Sequence, residues 1–449
     1  MVVLKAGPEP LDDLAGFLEP FSSLVRRAES RHALERYTTG LLSDLRRKTA
    51  SDIGRAVAGT NSQCLQEFLT RTDWDSKAMD RLRVRHMLEQ ATVSEGVQII
   101  DDTGFAKKGA HSVGVDRQYL GTLGRIDNGQ VLVTSHYVDW VFDWPIMGRL
   151  YLPKSWATDQ ARREKVKIPE EIAFRTKGQI ALELIDEGLH TGIPTRAIVA
   201  DAGYGDQPSL LDGLQDRKLP YLVGVASTVR FRLADTVEQD PGDGPPPAYL
   251  GLGRPPRALR MQDRIPAEGT ATILAALPEE GWKSVAWREG TKGALAKEFV
   301  RVPVYRTGSR GAHVPCKGWL VGERPLPGRR GDSKYYFAWG LDSLALEELV
   351  DLAHLRWVIE RFYQDAKGEL GLDDYEGRLW TGFHRHVALV MLAHSYLTLQ
   401  QTYGPEVTGQ EETKRAHSGE QQHTSPPRKR AFPPTGPEEP GRTKKGGHR

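Results

Sequence analysis

The sequence predicts an α/β fold with an all-α region ahead of it, a mainly β insertion inside it and a disordered tail behind it. Three observations carry that reading. Apolar residues recur at helical spacing from about residue 11 to 90. From Val97 onward short, buried-type apolar runs alternate with helical stretches. Two segments break the alternation, a Pro/Gly-rich run at 240–247 and everything past Gln401.

In the first region Leu34, Tyr37, Leu41, Leu42 and Leu45 form one helical stripe, followed by Ile53, Val57, Leu65, Phe68 and Leu69. The polar side carries Arg26, Arg27, Arg31, Arg36, Arg46, Arg47, Lys48, Arg55 and Arg71. Such a face is either solvated or suited to phosphate, because arginine forks match phosphate oxygens. Residues 96–100 then read as a strand that runs into Asp101, Asp102 and Thr103. Residues 131–138 and 150–152 read as further strands, and 180–189 as a helix. The run 197–200 is a buried-type strand ending on Asp201, with Gly203 and Gly205 turning the chain. A strand follows at 221–225, and the alternation indicates an α/β sheet.

Residues 233–330 interrupt this rhythm with β-like pieces at 284–287 and 299–305. A strand returns at 335–339, and 344–352 starts the helix expected to carry Glu360. Past Gln401 there are seven prolines, seven glycines and almost no apolar residues, the composition of a disordered segment. The expected layout is therefore a helical domain at 1–95, a catalytic domain at 96–400 with its insertion at about 233–330, and a basic tail at 401–449.

Composition narrows the function classes. With 449 residues, 39% hydrophobic and 27% charged, the chain has ample material for a core. Its 61 basic and 59 acidic residues nearly cancel, so any partner preference must come from local patches. Cys64 and Cys316 alone give neither a disulfide framework nor a zinc spacing, which fits a reducing cytoplasm. Residues 1–11 hold Lys5, Glu9 and two prolines, so no secretory leader is expected. The apolar stretch 387–399 is too short to span a bilayer and is broken by His394 and Ser395.

Candidate chemistry concentrates in residues 351–378. Arg356, Glu360, Tyr363 and Lys367 fall at steps of four, three and four, on one side of a helix. A carboxylate between cations suits a metal ion near phosphates, and it is also what a solvated i,i+4 ion pair looks like. Asp101 and Asp201 each follow a short apolar run, at the carboxyl end of a predicted strand, where α/β sheets build sites. Two such aspartates and a helix glutamate form the carboxylate set that Mg²⁺ takes. Two ions about 3.5–4 Å apart can clamp an in-line phosphoryl displacement.

At this point a resemblance becomes specific. The phrases DDTGFAKKGAHSVGVDRQYLGTLGRIDNGQV (101–131), ADAGYGD (200–206), WREGTKG (287–293) and LRWVIERFYQDAKGELGLDDYEGRLWTGFHRH (355–386) resemble DDE-superfamily transposases of bacterial insertion sequences. The similarity is to the branch named for insertion sequence seven-oh-one, and LEPFSSLVRRAESRHALERYTTGLLSDLRRKTA (18–50) resembles it too. The resemblance implies an RNase H-like core with Asp101, Asp201 and Glu360 as catalytic and metal-binding carboxylates, Asp102 being the fallback for Asp101. It implies Mg²⁺ or Mn²⁺, two ions per active site. The implied partners are double-stranded DNA, as the element's inverted repeats and as target, and a second copy of the chain in a homodimeric synaptic complex. The wider superfamily's Tyr, Arg, Glu, Lys signature is met by Arg356, Glu360 and Lys367. Its tyrosine position falls on Ala353, with Tyr363 as a possible replacement. Lys107, Lys108, Arg117 and Arg378 are the expected phosphate contacts, with His384, Arg385 and His386 beside them. Trp287 would either stack on an unpaired base or fill the core of the insertion. Two other activities share these residues: a DNA-binding regulator without catalysis, and a metal-dependent nuclease without strand transfer.

Overall fold

The computed structural model describes residues 12–403 apart from 140, 241–247, 250, 252–263, 291–292 and 309–312. The Pro/Gly run at 241–247 and most of the tail at 401–449 therefore lie outside the described residues.

Helices lead the chain: α1 (Asp12–Leu18), α2 (Ala28–Leu42), α3 (Ala50–Ala56), α4 (Ser62–Thr70) and α5 (Ser76–Gln90). Thr49, Asn61 and Asp75 cap α3, α4 and α5, each accepting a first-turn backbone N–H. Such a cap contributes about 1 kcal/mol. Next come β1 (Gly96–Ala106), β2 (Asp116–Leu120), β3 (Arg125–Val138) and β4 (Asp143–Leu150). The short helices α6 (Lys154–Ala157) and α7 (Gln160–Lys165) lead to α8 (Lys177–Thr191), which opens on a Thr176/Gln179 capping box. Then follow β5 (Thr195–Ala200), α9 (Ala202–Gly205), α10 (Pro208–Asp216) and β6 (Tyr221–Gly224). The segment breaking the alternation holds β7 (Arg230–Leu233), α11 (Ala234–Glu238), β8 (Glu268–Gly269) and α12 (Thr270–Ala275). Its longer strands are β9 (Lys283–Gly290), β10 (Gly293–Thr307) and β11 (His313–Arg324), and β12 (Lys334–Trp339) follows it as the returning strand. The described chain closes with α13 (Leu346–His354), α14 (Trp357–Gly368) and α15 (Trp380–Tyr403).

All twelve strands among the described residues join one mixed sheet. β1 lies between β3, antiparallel, and β5, parallel; β4 pairs with β3 and β6 continues parallel to β5. β12 then pairs antiparallel with β6, and β11, β10, β7 and β8 extend the same sheet. The β-rich segment expected as an insertion thus joins the core sheet, and among the described residues it includes two short α-helices.

Both faces of the central strands are covered, which is why their paired parts are mostly apolar, with Gln98 of β1 buried among them. Val97, Ile99, Ala197 and Val199 pack with Ile359, Phe362 and Leu389 of α14 and α15. Ile100, Ile198 and Ala200 pack with Ile180 and Leu184 of α8. The N-terminal helices share the first of these cores, because α15 packs on α2, α4 and α5 as well as on β4. Among the described residues no helix is long and apolar enough to cross a membrane.

Several expectations are corrected. β1 continues past Asp101 to Ala106, its far half held by β3 alone. The helix carrying Glu360 does not start at residue 344: α13 ends at His354, and α14 begins anew at Trp357 after a turn at Leu355 and Arg356. Lys48, read as surface charge, is buried and its ammonium donates to the carbonyls of Leu41, Ser43 and Glu369. Arg385 is buried too, donating to the carbonyls of Phe68 and Leu69 at the end of α4 and of Trp74 just beyond it. Carbonyls left open at a helix end attract cations, and that attraction offsets the cost of burying the charge.

His384 and His386 are likewise interior. The Gly371 carbonyl accepts from Nε2 of His386 at 3.0 Å, so Nδ1 accepts from the Tyr37 hydroxyl at 2.8 Å and the ring is neutral. Burial lowers the pKa of His384 to about 3 and that of His386 to about 4, from 6.5. The unfolded chain takes up these protons below pH 6.5 whereas the fold does not, so stability falls as pH drops. At pH 5 each histidine accounts for a loss of about 2 kcal/mol. Thermal melts from pH 7.5 to 4.5 are expected to lose most of their transition by about pH 5, and His386→Gln is expected to flatten that slope. An unchanged slope in that variant would disprove the assignment.

Candidate active site

The two central aspartates meet because of strand register. β1 and β5 run parallel with Ile100 opposite Ala200, so Asp101 and Asp201 stand level on adjacent strands. Side chains alternate between faces. Asp101 follows Val97 and Ile99, and Asp201 follows Ala197 and Val199, toward the face covered by α14. Asp102 turns to the other face, where Lys177 at the start of α8 lies 3.0 Å from both its oxygens. The Tyr204 hydroxyl donates to it at 3.1 Å.

Asp201 also caps the single turn α9, its Oδ1 accepting from the Tyr204 amide at 3.3 Å. That turn needs Gly205. A Cβ there would stand 1.8 Å from the Gly224 carbonyl oxygen, so α9 rests on β6 with no room for a side chain. Gly205→Ala is expected to cost about 2–4 kcal/mol in urea denaturation and to displace Asp201. A loss under about 0.5 kcal/mol would contradict this packing.

Arg356 ties the site together. Its guanidinium donates to Asp101 Oδ2 at 3.0 Å and to Glu360 one helical turn along. Asp101 is only 8% exposed. Burial, reinforced by the Asp201 carboxylate and opposed by Arg356, pushes its pKa up to about 7. Burial raises Asp201 as well, against the pull of Arg356. For Arg356, burial opposes protonation, but Asp101, Glu360 and Asp201 together hold its pKa above the ordinary value. A cleft of about 540 Å³ opens beside this cluster, lined among others by Asp201, Gly224, Lys334, Tyr336, Arg356 and Glu360.

The donor set fits a hard divalent cation in type and charge. Asp101, Asp201 and Glu360 face a single guanidinium, which leaves a surplus of negative charge in a poorly solvated place. Among the described residues, however, no three His, Cys, Asp or Glu side chains stand together as a ligand group. Arg356 bridges Asp101 and Glu360, and the Glu360 side chain is 55% exposed.

Other candidates are placed as follows. Lys367 donates to the Gly104 carbonyl at 3.0 Å and lies over the Phe105 ring, so it braces β1. Lys107 donates to the Tyr375 carbonyl at 2.8 Å. Tyr363 is buried with its hydroxyl 2.5 Å from Thr134 Oγ1, not on an open face. Trp287 stacks on His354. Lys108, Arg117 and Arg378 are exposed. Sequence reasoning missed Lys177 and Tyr204, which hold Asp102, and missed His354. Nothing in the local spacing signals those contacts, because each partner comes from a different element.

Comparison with known proteins adds two findings. The family described as DDE superfamily endonuclease matches residues 20–294, a stretch that contains Asp101 and Asp201 and ends before Glu360. The chain is also similar to a probable transposase for insertion sequence element IS701 from Microchaete diplosiphon, 32% identical over 225 residues. That alignment covers 49% of this chain and 56% of the relative, so the match spans about half the length of the curated relative.

Proposed function

The chain belongs to the DDE superfamily endonucleases, and from that premise we propose that it is a DNA transposase. It cleaves at the terminal inverted repeats of its own insertion sequence and joins the released 3′-hydroxyl ends to target DNA. The observation that carries this reading is the level placement of Asp101 and Asp201 beneath the helix that bears Glu360, with Arg356 between them. The strand order β4-β3-β1-β5-β6, with β3 antiparallel and β5 and β6 parallel to β1, supports an RNase H-like core.

Asp101, Asp201 and Glu360 are the residues to hold Mg²⁺ or Mn²⁺, two ions per site. Bound there, such ions supply Lewis acidity and lower the pKa of water or of a 3′-hydroxyl. The protein's own groups do the rest. Arg356 is the cation nearest the carboxylates and is placed to pass from Asp101 to a phosphate oxygen entering the cleft. Lys177 keeps Asp102 neutralised and out of the site. Lys367 and Lys107 fix the strand that carries Asp101 and the loop after it. Lys108, Arg117, Arg378 and the exposed Arg26, Arg27, Arg31 and Arg46 are left for the DNA backbone. Two ends must be held at once, so the working form is a homodimer on double-stranded DNA in the cytoplasm.

Incubation of the protein with labelled element ends, Mg²⁺ and a target plasmid tests the reading. Joined products support the transposase. Cleavage without joining would make it a nuclease, and binding without cleavage a regulator.

A further inference from the structure

The turn between α13 and α14 carries Arg356, and its neighbours on both sides are gripped by consecutive residues of β9. On one side His354 lies under the Trp287 indole, with ring centroids 3.9 Å apart and planes 19° from parallel. On the other side the Arg288 guanidinium sits 4.2 Å from the centroid of the Trp357 ring. Phe299 of β10 closes the first contact edge-on, at 85° to His354 and 90° to Trp287.

His354 is held at its nitrogens as well. Nδ1 faces the Val350 carbonyl at 2.8 Å, and Nε2 lies 3.4 Å from the Glu323 carboxylate of β11. Glu323 is only 1% exposed and is also bonded to Lys297 of β10 and to the Tyr336 hydroxyl of β12. Both ring nitrogens therefore face acceptors, one on its own helix and one on β11, so the plane of the imidazole is fixed beneath the indole. Three strands of the β-rich segment, β9, β10 and β11, thus converge on a single side chain two residues before Arg356 and six before Glu360.

We propose that the Trp287–His354 stack and the Arg288–Trp357 contact form a clamp by which the β-rich extension positions the turn and sets the direction of Arg356 and Glu360. Trp287 and His354 are positioning residues; neither needs to touch DNA. The physical reason lies in the turn itself. α13 and α14 are separate helices, so no continuous ladder of helical hydrogen bonds fixes the second relative to the first. An aromatic stack with the buried Glu323 carboxylate behind it supplies that constraint from outside. The inference rests on the reading of Glu360 as part of the proposed cleavage centre.

The test uses the full chain with Trp287→Leu, Trp287→Phe, His354→Ala and the double variant Trp287→Leu/His354→Ala. Amide exchange over residues 354–361 is expected to speed up by about tenfold in Trp287→Leu and His354→Ala, with β1 and β5 unchanged. This readout holds even if the protein cuts nothing. Single-turnover cleavage of labelled ends should fall about 30-fold in each, with the Kd for DNA within about twofold of wild type. The Mn²⁺ concentration for half-saturation without DNA should rise about fivefold, and Trp287→Phe should stay within about threefold of wild type throughout. The double variant should be no slower than the worse single one, because a clamp can be broken only once.

Unchanged exchange in Trp287→Leu would overturn the proposal. So would multiplicative losses in the double variant, or a Trp287→Leu effect confined to DNA affinity, which would place the indole on the DNA instead. A wild-type protein that neither cuts nor binds Mn²⁺, with exchange still accelerated in the variants, would overturn the transposase reading and leave the clamp standing.

Discussion

Asp201→Asn is expected to slow cleavage at the element's ends by about 10⁴-fold, a loss of about 5.5 kcal/mol in transition-state stabilisation. Binding of the same ends is expected to stay within about threefold of wild type. The asymmetry follows from where Asp201 sits. It lies at the end of a strand with covered faces, beside Asp101 and in the electrostatic reach of Arg356, away from the exposed arginines of α2 and the loops. Asparagine keeps the shape and the oxygen that accepts from the Tyr204 amide, so α9 survives. What is lost is a negative charge where Asp101 and Glu360 alone cannot hold a hard cation. A variant that cut at more than about a tenth of the wild-type rate would show that Asp201 is only a helix cap.

Arg356→Gln is expected to move two quantities in opposite directions. Divalent cations should bind the DNA-free protein about tenfold more tightly, because no guanidinium has to leave Asp101 and Glu360 first. Cleavage should nevertheless fall by about 100-fold, since the phosphate then lacks the cation nearest the carboxylates. The same variant should lose about 1–3 kcal/mol of stability when metal is absent, as Asp101 and Asp201 then face each other with their chief counter-charge gone. Isothermal titration with Mn²⁺ and single-turnover cleavage report the two directions. Weaker Mn²⁺ binding in Arg356→Gln would mean that the arginine helps to assemble the site instead of competing for it.

The parts of this molecule that were legible in the sequence are those written by burial. Parallel strands covered on both faces are mostly apolar, so 96–100 and 197–200 stood out, and the first carboxylate after each marked where the parallel pairing of β1 and β5 ends, although β1 itself runs on to Ala106. That is why Asp101 and Asp201 could be paired before any register was known. The turn at Leu355 and Arg356 was hidden for the opposite reason. Leu352, Leu355 and Ile359 keep helical spacing straight through it, and no Gly or Pro marks the interruption. Charge misled: Lys48 and Arg385 read as surface groups, yet both are drawn inside by carbonyls of other elements. Lys367 and Tyr363 share the helix stripe with Glu360 as expected. The structure spends their polar atoms on Gly104 and Thr134, partners remote in sequence that spacing along one helix cannot reveal.

For this chain to cut and join DNA, Asp101, Asp201 and Glu360 must act together on divalent cations. Mn²⁺ bound by the full chain with a short inverted-repeat duplex, counted by electron paramagnetic resonance in wild type and in Asp101→Asn, Asp201→Asn and Glu360→Gln, measures this directly. The expected result is about two ions per site in wild type and a loss of at least one in each variant. The same count and affinity in all four proteins would contradict it.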